Sequence, residues 1–103
     1  MITSEMAERA KCVNGAWQDE GDGYYSLTGY GYAEVAYIAL PSSHPDVGAD
    51  YDNLSPDVNG GLTFGFENMF GWDYGHAYNE GSISDHIANA LEYFRSRKDV
   101  KGT

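Results

Sequence analysis

The residues of this sequence with the clearest chemical potential are its carboxylates. The chain of 103 residues carries 16 Asp and Glu against 6 Lys and Arg, with a net charge of -10 and a pI of about 4.3. Between Cys12 and Phe94 there is no Lys or Arg. The acids of this base-free segment are Asp19, Glu20, Asp22, Glu34, Asp46, Asp50, Asp52, Asp57, Glu67, Asp73, Glu80, Asp85 and Glu92.

Repulsion among so many like charges opposes compaction of the chain. Because no base lies nearby in sequence, we expect internal ion pairs to relieve little of this repulsion. A basic partner would gain from this charge through steering and complementarity. Simple solubility also accounts for an acidic surface, but the complete absence of bases over this length favours a partner. Direct binding of nucleic acid is disfavoured because phosphates would meet carboxylates.

Metal binding is the second chemistry to consider, because the chain has three histidines. They show no His-x-x-x-His spacing, and Asp73 and His76 would point to opposite faces of a strand. Structural histidines are therefore the favoured interpretation, and we expect no metal and no cofactor. A metal-dependent enzyme built from His44, Asp73 and His76 stays open as an alternative.

A calcium-binding loop and a nucleophilic catalytic site are both disfavoured by the residue types present. The segment DYDNLSPDVNGG begins with Asp50 and Asp52 at the spacing of a calcium-binding loop, but Leu54 and Gly61 stand where oxygen ligands are needed. Cys12 is the only cysteine, and no serine lies in a Gly-x-Ser-x-Gly turn. We predict a protein that is not an enzyme.

The composition predicts one folded domain over residues 1–103. Hydrophobic residues make up 42% and aromatic residues 15% of the chain, enough apolar surface to offset the entropy of ordering it. The first 20 residues contain charges and no long apolar run, so neither a signal peptide nor a membrane span is expected. We expect a cytosolic protein.

The element predicted most clearly is a C-terminal helix over 82–98. Its apolar residues fall at helical spacing, Ser82 or Ser84 can cap its start, and basic residues follow at its end. A short helix is also possible over 3–13. The segment 14–23, with three glycines and three acids, is expected to be turn and loop.

The next two segments differ in predicted structure: the first is rich in β-forming residues, and the second is irregular. Residues 24–41 are rich in Tyr, Val, Ile and Leu, and from Tyr32 onward both alternating sets are mostly apolar, as in a strand covered on both faces. Glu34 is the exception and should lie at a sheet margin or serve a partner. Residues 41–61, with three prolines, three glycines and four Asp, should form a long irregular connection, which in a small domain usually has a function.

Residues 62–78 alternate bulky and small side chains, which predicts a β-hairpin. A loop of three or five residues around Asn68 would pair Phe66 with Phe70 and Phe64 with Trp72, keeping the aromatic side chains on one face. We expect that odd loop, with the C-terminal helix covering the aromatic face. The predicted fold is therefore α+β, a small antiparallel sheet with a helix packed on one face.

Three segments, YAEVAYIALPSSHPDVGADYDN, DVNGGLTFG and FGWDYGHAY, resemble a widespread set of small uncharacterised phage and prophage proteins. In that set a strand ends near His-Pro, and Val-x-Gly-Gly-Leu/Ile-Thr-Tyr and Phe-Gly-Phe-Asp-Cys-Ala-His-Ala segments precede a C-terminal helix. Asn59 stands where the set usually has His, and Tyr74 where it has Cys, with Gly75 following. The resemblance covers about half the chain and implies a phage origin and a β-rich α+β fold, but no established chemistry. The matching positions are His44, Pro45, Val58, Gly60, Gly61, Leu62, Thr63, Gly71, Trp72, Asp73, His76 and Ala77.

By type, the acidic segment also resembles phage counter-defence proteins that imitate DNA. This resemblance implies an anti-CRISPR-type inhibitor in the host cytoplasm, which binds a basic DNA-handling surface of a host CRISPR effector, of the Cascade type or a single-protein nuclease. Anti-restriction or host-takeover binding is the related alternative, and neither involves a membrane or direct contact with nucleic acid. The predicted contact residues are Asp46, Asp50, Asp52 and Asp57 in the long loop, further acids Asp19, Glu20, Asp22, Glu34 and Glu67, and the aromatic anchors Tyr30 and Tyr51.

Overall fold

The fold is seen in a computed structural model that describes residues 13–30, 33–75 and 79–98. The predicted N-terminal helix lies, except for its last residue, outside the described residues. The elements are β1 (Val13–Gly21), β2 (Tyr24–Tyr30), β3 (Glu34–Ala39), a 3₁₀ turn (Tyr51–Asn53), β4 (Phe64–Phe66), β5 (Met69–Asp73) and α1 (Ile83–Ser96).

The strands form one five-stranded antiparallel sheet in the order β1-β2-β3-β5-β4. The helix α1 follows the last strand, and part of it packs against β3. This is the small α+β fold that the sequence predicted. None of the helices in the described parts of the chain is both long and apolar enough to cross a membrane.

The prediction of turn and loop for 14–23 is wrong, because most of this segment belongs to β1. The strand pairs with β2 from Val13↔Tyr30 to Gly21↔Tyr24, with irregularities near both ends. Only Asp22 and Gly23 form the turn, and both have positive φ, 56° and 87°. Pairing with an apolar neighbour thus overrides the weak β propensity of the acids and glycines.

The β-rich segment 24–41 divides into two neighbouring strands. In β3 every residue after Glu34 is buried, and the strand lies between β2 and β5 in the middle of the sheet. This confirms a strand covered on both faces. Glu34 is exposed at the first position of β3, at the margin of the sheet.

The predicted hairpin between β4 and β5 is present, but the predicted odd loop is wrong. Phe66 pairs with Met69 and Phe64 with Gly71, across a two-residue turn of Glu67 and Asn68. Glu67 adopts the left-handed conformation with φ 56°.

The physical reason for this register is the burial of Asn68. Its side-chain amide donates to the carbonyl of Leu40, and its own carbonyl accepts from the Leu40 N–H at 2.8 Å. These bonds satisfy a polar residue that is only 6% exposed and hold the turn in place.

The register divides the aromatic residues between two hydrophobic clusters, one on each face of the sheet. The larger cluster contains Ile38, Phe70 and Trp72 together with Phe94 of α1. Phe70 and Phe94 stack with ring centroids 5.6 Å apart. The opposite face has a smaller cluster of Leu27, Val35, Tyr37, Ala39 and Met69, against which Trp17, Phe64 and Phe66 pack.

The C-terminal helix is confirmed over most of its predicted length. Ser82 is its N-cap, and the Ser82 hydroxyl accepts from the N–H of Asp85 at 3.2 Å. His86, Ala90 and Phe94 are its buried residues, spaced four apart as expected for one helical face. The opposite side of α1 is left to face solvent.

Candidate functional site

The solvent side of α1 positions acidic side chains in a row. Asp85 and Glu92 are exposed, and Asn89 lies between them, at a spacing that places all three on one side of the helix. The side-chain amide of Asn89 donates to the carbonyl of Asp57 at 3.0 Å. This bond holds the long loop, and with it the Asp57 carboxylate, against the helix.

Two neighbouring depressions are formed there. The first, of about 430 Å³, is lined by Asp57, Glu80 and Asp85 together with Asn59, His86 and Asn89. The second, of about 510 Å³, is lined by Asp57 and Glu92 together with Asn89, Tyr93 and Ser96. Neither lining contains a Lys or Arg from the part of the chain that the structure describes. We call the surface of Asp57, Glu80, Asp85 and Glu92 the acidic face.

Asn59 holds one side of the acidic face in place. Its amide donates to the carbonyl of Asp73 at 3.1 Å and to Oδ1 of Asn79 at 2.7 Å, and its own Oδ1 accepts from the N–H of Glu80 at 3.0 Å. Asn59 is only 4% exposed. Asn59 therefore has a structural function here.

His86 lines the first depression and belongs to a partly buried chain of hydrogen bonds. The indole N–H of Trp72 donates to the Tyr74 hydroxyl at 3.0 Å, and that hydroxyl lies 2.6 Å from Nδ1 of His86. Burial raises the pKa of Tyr74, against the opposing effect of the Trp72 hydrogen bond. Since the phenol stays protonated at neutral pH, it can donate to Nδ1 and hold the imidazole in one orientation.

Asp46 is not available as a contact residue, which corrects the prediction. It is only 5% exposed, and its two oxygens accept from Nε and an Nη of Arg97 at 2.8 and 3.0 Å. The same hydrogen bonding raises the pKa of Arg97. Asp46 therefore anchors the long loop to the end of α1.

The acids of the β1–β2 turn are also partly paired. The expectation that internal ion pairs relieve little of the charge repulsion is therefore wrong here too. Arg95 lies 3.7 Å from the Asp22 carboxylate and donates to the carbonyl of Glu20 at 2.7 Å. The Glu20 carboxylate accepts from the Ser26 hydroxyl at 2.6 Å. Asp19 is exposed, and its carboxylate accepts from the N–H of Gly21.

The remaining predicted contact residues lie in two other places. Tyr30, which is 58% exposed, and Glu34 are directly opposite each other on β2 and β3. Asp50 and Asp52 are exposed at the 3₁₀ turn, where Oδ1 of Asp50 accepts from the Asp52 N–H at 3.0 Å.

The loop that carries them also approaches the exposed Glu67, because the Gly48 N–H donates to the Glu67 carbonyl at 2.9 Å. Tyr51 is half-buried and lies against Gly65 of β4. Of the predicted residues, only Asp57 belongs to the acidic face.

The alternative metal site is weakened by the environment of His44. Its Nδ1 accepts from the N–H of Asp46 at 3.0 Å, so Nε2 carries the proton and donates to the carbonyl of Phe94 at 2.8 Å. Both ring nitrogens are thus used in structural contacts. His76 lies outside the described residues. Within residues 13–30, 33–75 and 79–98, no group of three or more His, Cys, Asp or Glu could hold a metal ion.

Sequence reasoning did not select Glu80, Asp85 and Glu92 as site residues. The sequence pattern does indicate Asp85 and Glu92, because together with Asn89 they are spaced so as to lie on one side of a helix. The fold and this surface define a small α+β protein with an acidic face beside its helix. No known protein family, no curated protein and no solved structure matches the chain.

Proposed function

We propose that this protein is a phage-encoded anti-CRISPR-type inhibitor. It binds a basic DNA-handling surface of a host CRISPR effector through carboxylates that take the place of DNA phosphates, and it thereby blocks target-DNA binding without catalysis. The phage and CRISPR parts of the proposal follow from the sequence resemblances. The structural support is the acidic face.

One observation carries the proposal: four acids border two adjoining depressions whose linings contain no described Lys or Arg. Elsewhere the arginines at the C-terminal end of α1 pair with acids, as Arg97 does with Asp46 and Arg95 with Asp22. Because no described Lys or Arg lines the depressions of the acidic face, its carboxylates can meet the cationic side chains of a partner.

The support under the acidic face also suits this function. Asn59 and Asn89 hold Glu80 and Asp57 through backbone atoms, which leaves those two carboxylates outside these bonds. A surface held by the backbone keeps its shape before binding, and preorganisation reduces the entropy cost of association.

Charge reversal on the acidic face tests the proposal. We expect Asp57→Lys, Glu80→Lys and Glu92→Lys, combined in one variant, to weaken effector binding by at least about 100-fold, because close charge pairs across interfaces contribute on the order of 1.5 kcal/mol or more each. Capture of the protein's partner from a lysate of a CRISPR-bearing host, followed by competition against labelled target DNA, measures the effect.

A matched control is Glu34→Lys, Asp52→Lys and Glu67→Lys, which changes the net charge by the same amount at exposed positions away from the acidic face. We expect this control to retain most of the binding. Equal loss in both variants would show that net charge alone matters, and loss in the control alone would assign binding to another surface. Recovery of a basic partner that handles no nucleic acid would replace the CRISPR proposal with host takeover.

A further inference from the structure

A third depression, of about 560 Å³, lies at the C-terminal end of α1 and shares no lining residue with the two depressions of the acidic face. It is formed where the β1–β2 turn, the start of the long loop and the end of the helix meet. Its lining includes Tyr24, Ser43, His44, Arg95 and Lys98.

The charge of this depression is opposite to that of the rest of the surface. Among the residues that the structure describes, the basic side chains are Arg95, Arg97 and Lys98, and two of these three line it. One acid, Asp22, also borders it and lies 3.7 Å from Arg95, but its side chain is 82% exposed, so solvent screens much of its charge. The described lining thus has two cationic side chains against one carboxylate, an excess of positive charge on a strongly acidic protein.

Two hydrogen-bond donors of this lining are buried without a partner among the described residues. They are the hydroxyl of Tyr24, a residue only 2% exposed, and Nε of Arg95. The two side chains are adjacent, with the guanidinium carbon 5.0 Å from the centre of the Tyr24 ring. Buried polar groups nearly always have a partner, so this pair of donors calls for an acceptor.

The guanidinium is held in place by the protein itself. An Nη of Arg95 donates to the carbonyls of Glu20 and Gly21 at 2.7 and 3.4 Å. Burial raises the pKa of Tyr24, and the nearby charges of Arg95 and Asp22 modify it in opposite directions. The phenol consequently remains a donor through neutral pH, beside a fixed cation.

We propose that this depression binds a phosphate group, with Arg95 and Lys98 supplying positive charge and the Tyr24 hydroxyl donating a hydrogen bond. Planar guanidinium groups and hydroxyl donors are the common protein partners of phosphate oxygens. The group can come from inorganic phosphate or from a phosphate ester such as a nucleotide. This inference is independent of the proposed inhibition, because it concerns the isolated protein.

Titration of the protein with inorganic phosphate, followed by amide NMR shifts at constant ionic strength, tests the proposal. We expect saturable shifts at Gly23, Tyr24, Ser43 and His44. Tyr24→Phe should weaken phosphate binding about fivefold through loss of one hydrogen bond, and Lys98→Gln should weaken it through loss of charge. A parallel titration with adenosine monophosphate distinguishes the sources, since tighter binding than phosphate indicates an ester.

The matched control is Tyr74→Phe, which removes the hydroxyl of a tyrosine bonded to Trp72 and His86 and should leave phosphate binding unchanged. Tyr24→Phe should be at least as resistant to urea as the wild type, because it removes a hydroxyl that has no hydrogen-bond partner in the described part of the chain. The proposal is overturned by shifts that do not saturate, or by wild-type phosphate affinity in both Tyr24→Phe and Lys98→Gln.

Discussion

Tyr24 and Tyr74 show how strongly one hydroxyl group can depend on its surroundings. Tyr24 is buried and Tyr74 is partly buried, and burial raises the pKa of both. Only the Tyr74 hydroxyl has hydrogen-bond partners that the structure shows, Trp72 and His86. A raised pKa in the folded state means that folding favours the protonated phenol. The contribution of such a phenol to the free energy of unfolding is complete below its pKa in the unfolded chain, about 10. It is lost as pH rises through the higher pKa of the folded state.

We therefore expect the wild-type protein to lose stability as pH rises above about 10, and Tyr74→Phe to lose less with the same change in pH. At pH 7, where both phenols are protonated, Tyr74→Phe should be less stable by about 1 kcal/mol because Trp72 and His86 lose a partner. Urea midpoints between pH 7 and 11 measure both effects. An identical alkaline slope in the variant would contradict a role for Tyr74 in it.

At the scale of elements, the hairpin of β4 and β5 depends on a glycine. A β-carbon on Gly71 would clash with the Tyr37 ring and lie 3.1 Å from the Ala36 carbonyl oxygen. Tyr37 in turn packs edge-on against Phe64, with ring centroids 5.5 Å apart. Gly71 thus permits the close approach of β5 to the ring on β3 and helps to set the observed register.

Replacement of Gly71 tests this element. We expect Gly71→Ala to destabilise the protein by about 3 kcal/mol, because a methyl group must displace a packed ring. Gly65→Ala is the control on the neighbouring strand, since its closest contacts would be 3.2 to 3.3 Å, and it should cost less. Urea unfolding of both variants compares them, and equal costs would show that the contact with Tyr37 is unimportant.

At the scale of the whole molecule, charge is distributed unevenly. At the C-terminal end of α1, Arg97 pairs with Asp46 and Arg95 with Asp22. The depressions of the acidic face, in contrast, are lined by no described Lys or Arg. The net charge of -10 leaves substantial repulsion in the folded state.

Screening of this repulsion should stabilise the protein. We expect its thermal midpoint to rise between 10 mM and 300 mM NaCl, over which the Debye length falls from about 30 Å to below about 8 Å. The Lys variant of Asp57, Glu80 and Glu92 should show a smaller rise, because fewer like charges remain. Calorimetry at the two salt concentrations measures it. A midpoint that falls with salt would show that ion pairs outweigh repulsion.

The sequence by itself determined the features that depend on local pattern. The spacing of apolar residues and the capping Ser82 specified α1, the doubly apolar run specified the central strand β3, and proline, glycine and aspartate specified the long loop. These elements agree with their predictions because a few neighbouring residues decide them, through periodicity, capping and backbone preference.

The tertiary structure decided what depends on contacts between distant residues. Pairing with β2 made a strand of β1 against its composition, and the bonds of Asn68 to Leu40 selected the two-residue turn that separates the aromatic residues. Arg97 meets Asp46 across 51 positions of sequence, so a segment without bases in sequence is not without bases in space. For the same reason the acidic face, which joins the loop at Asp57 to the helix at Asp85 and Glu92, emerges only when the chain is folded.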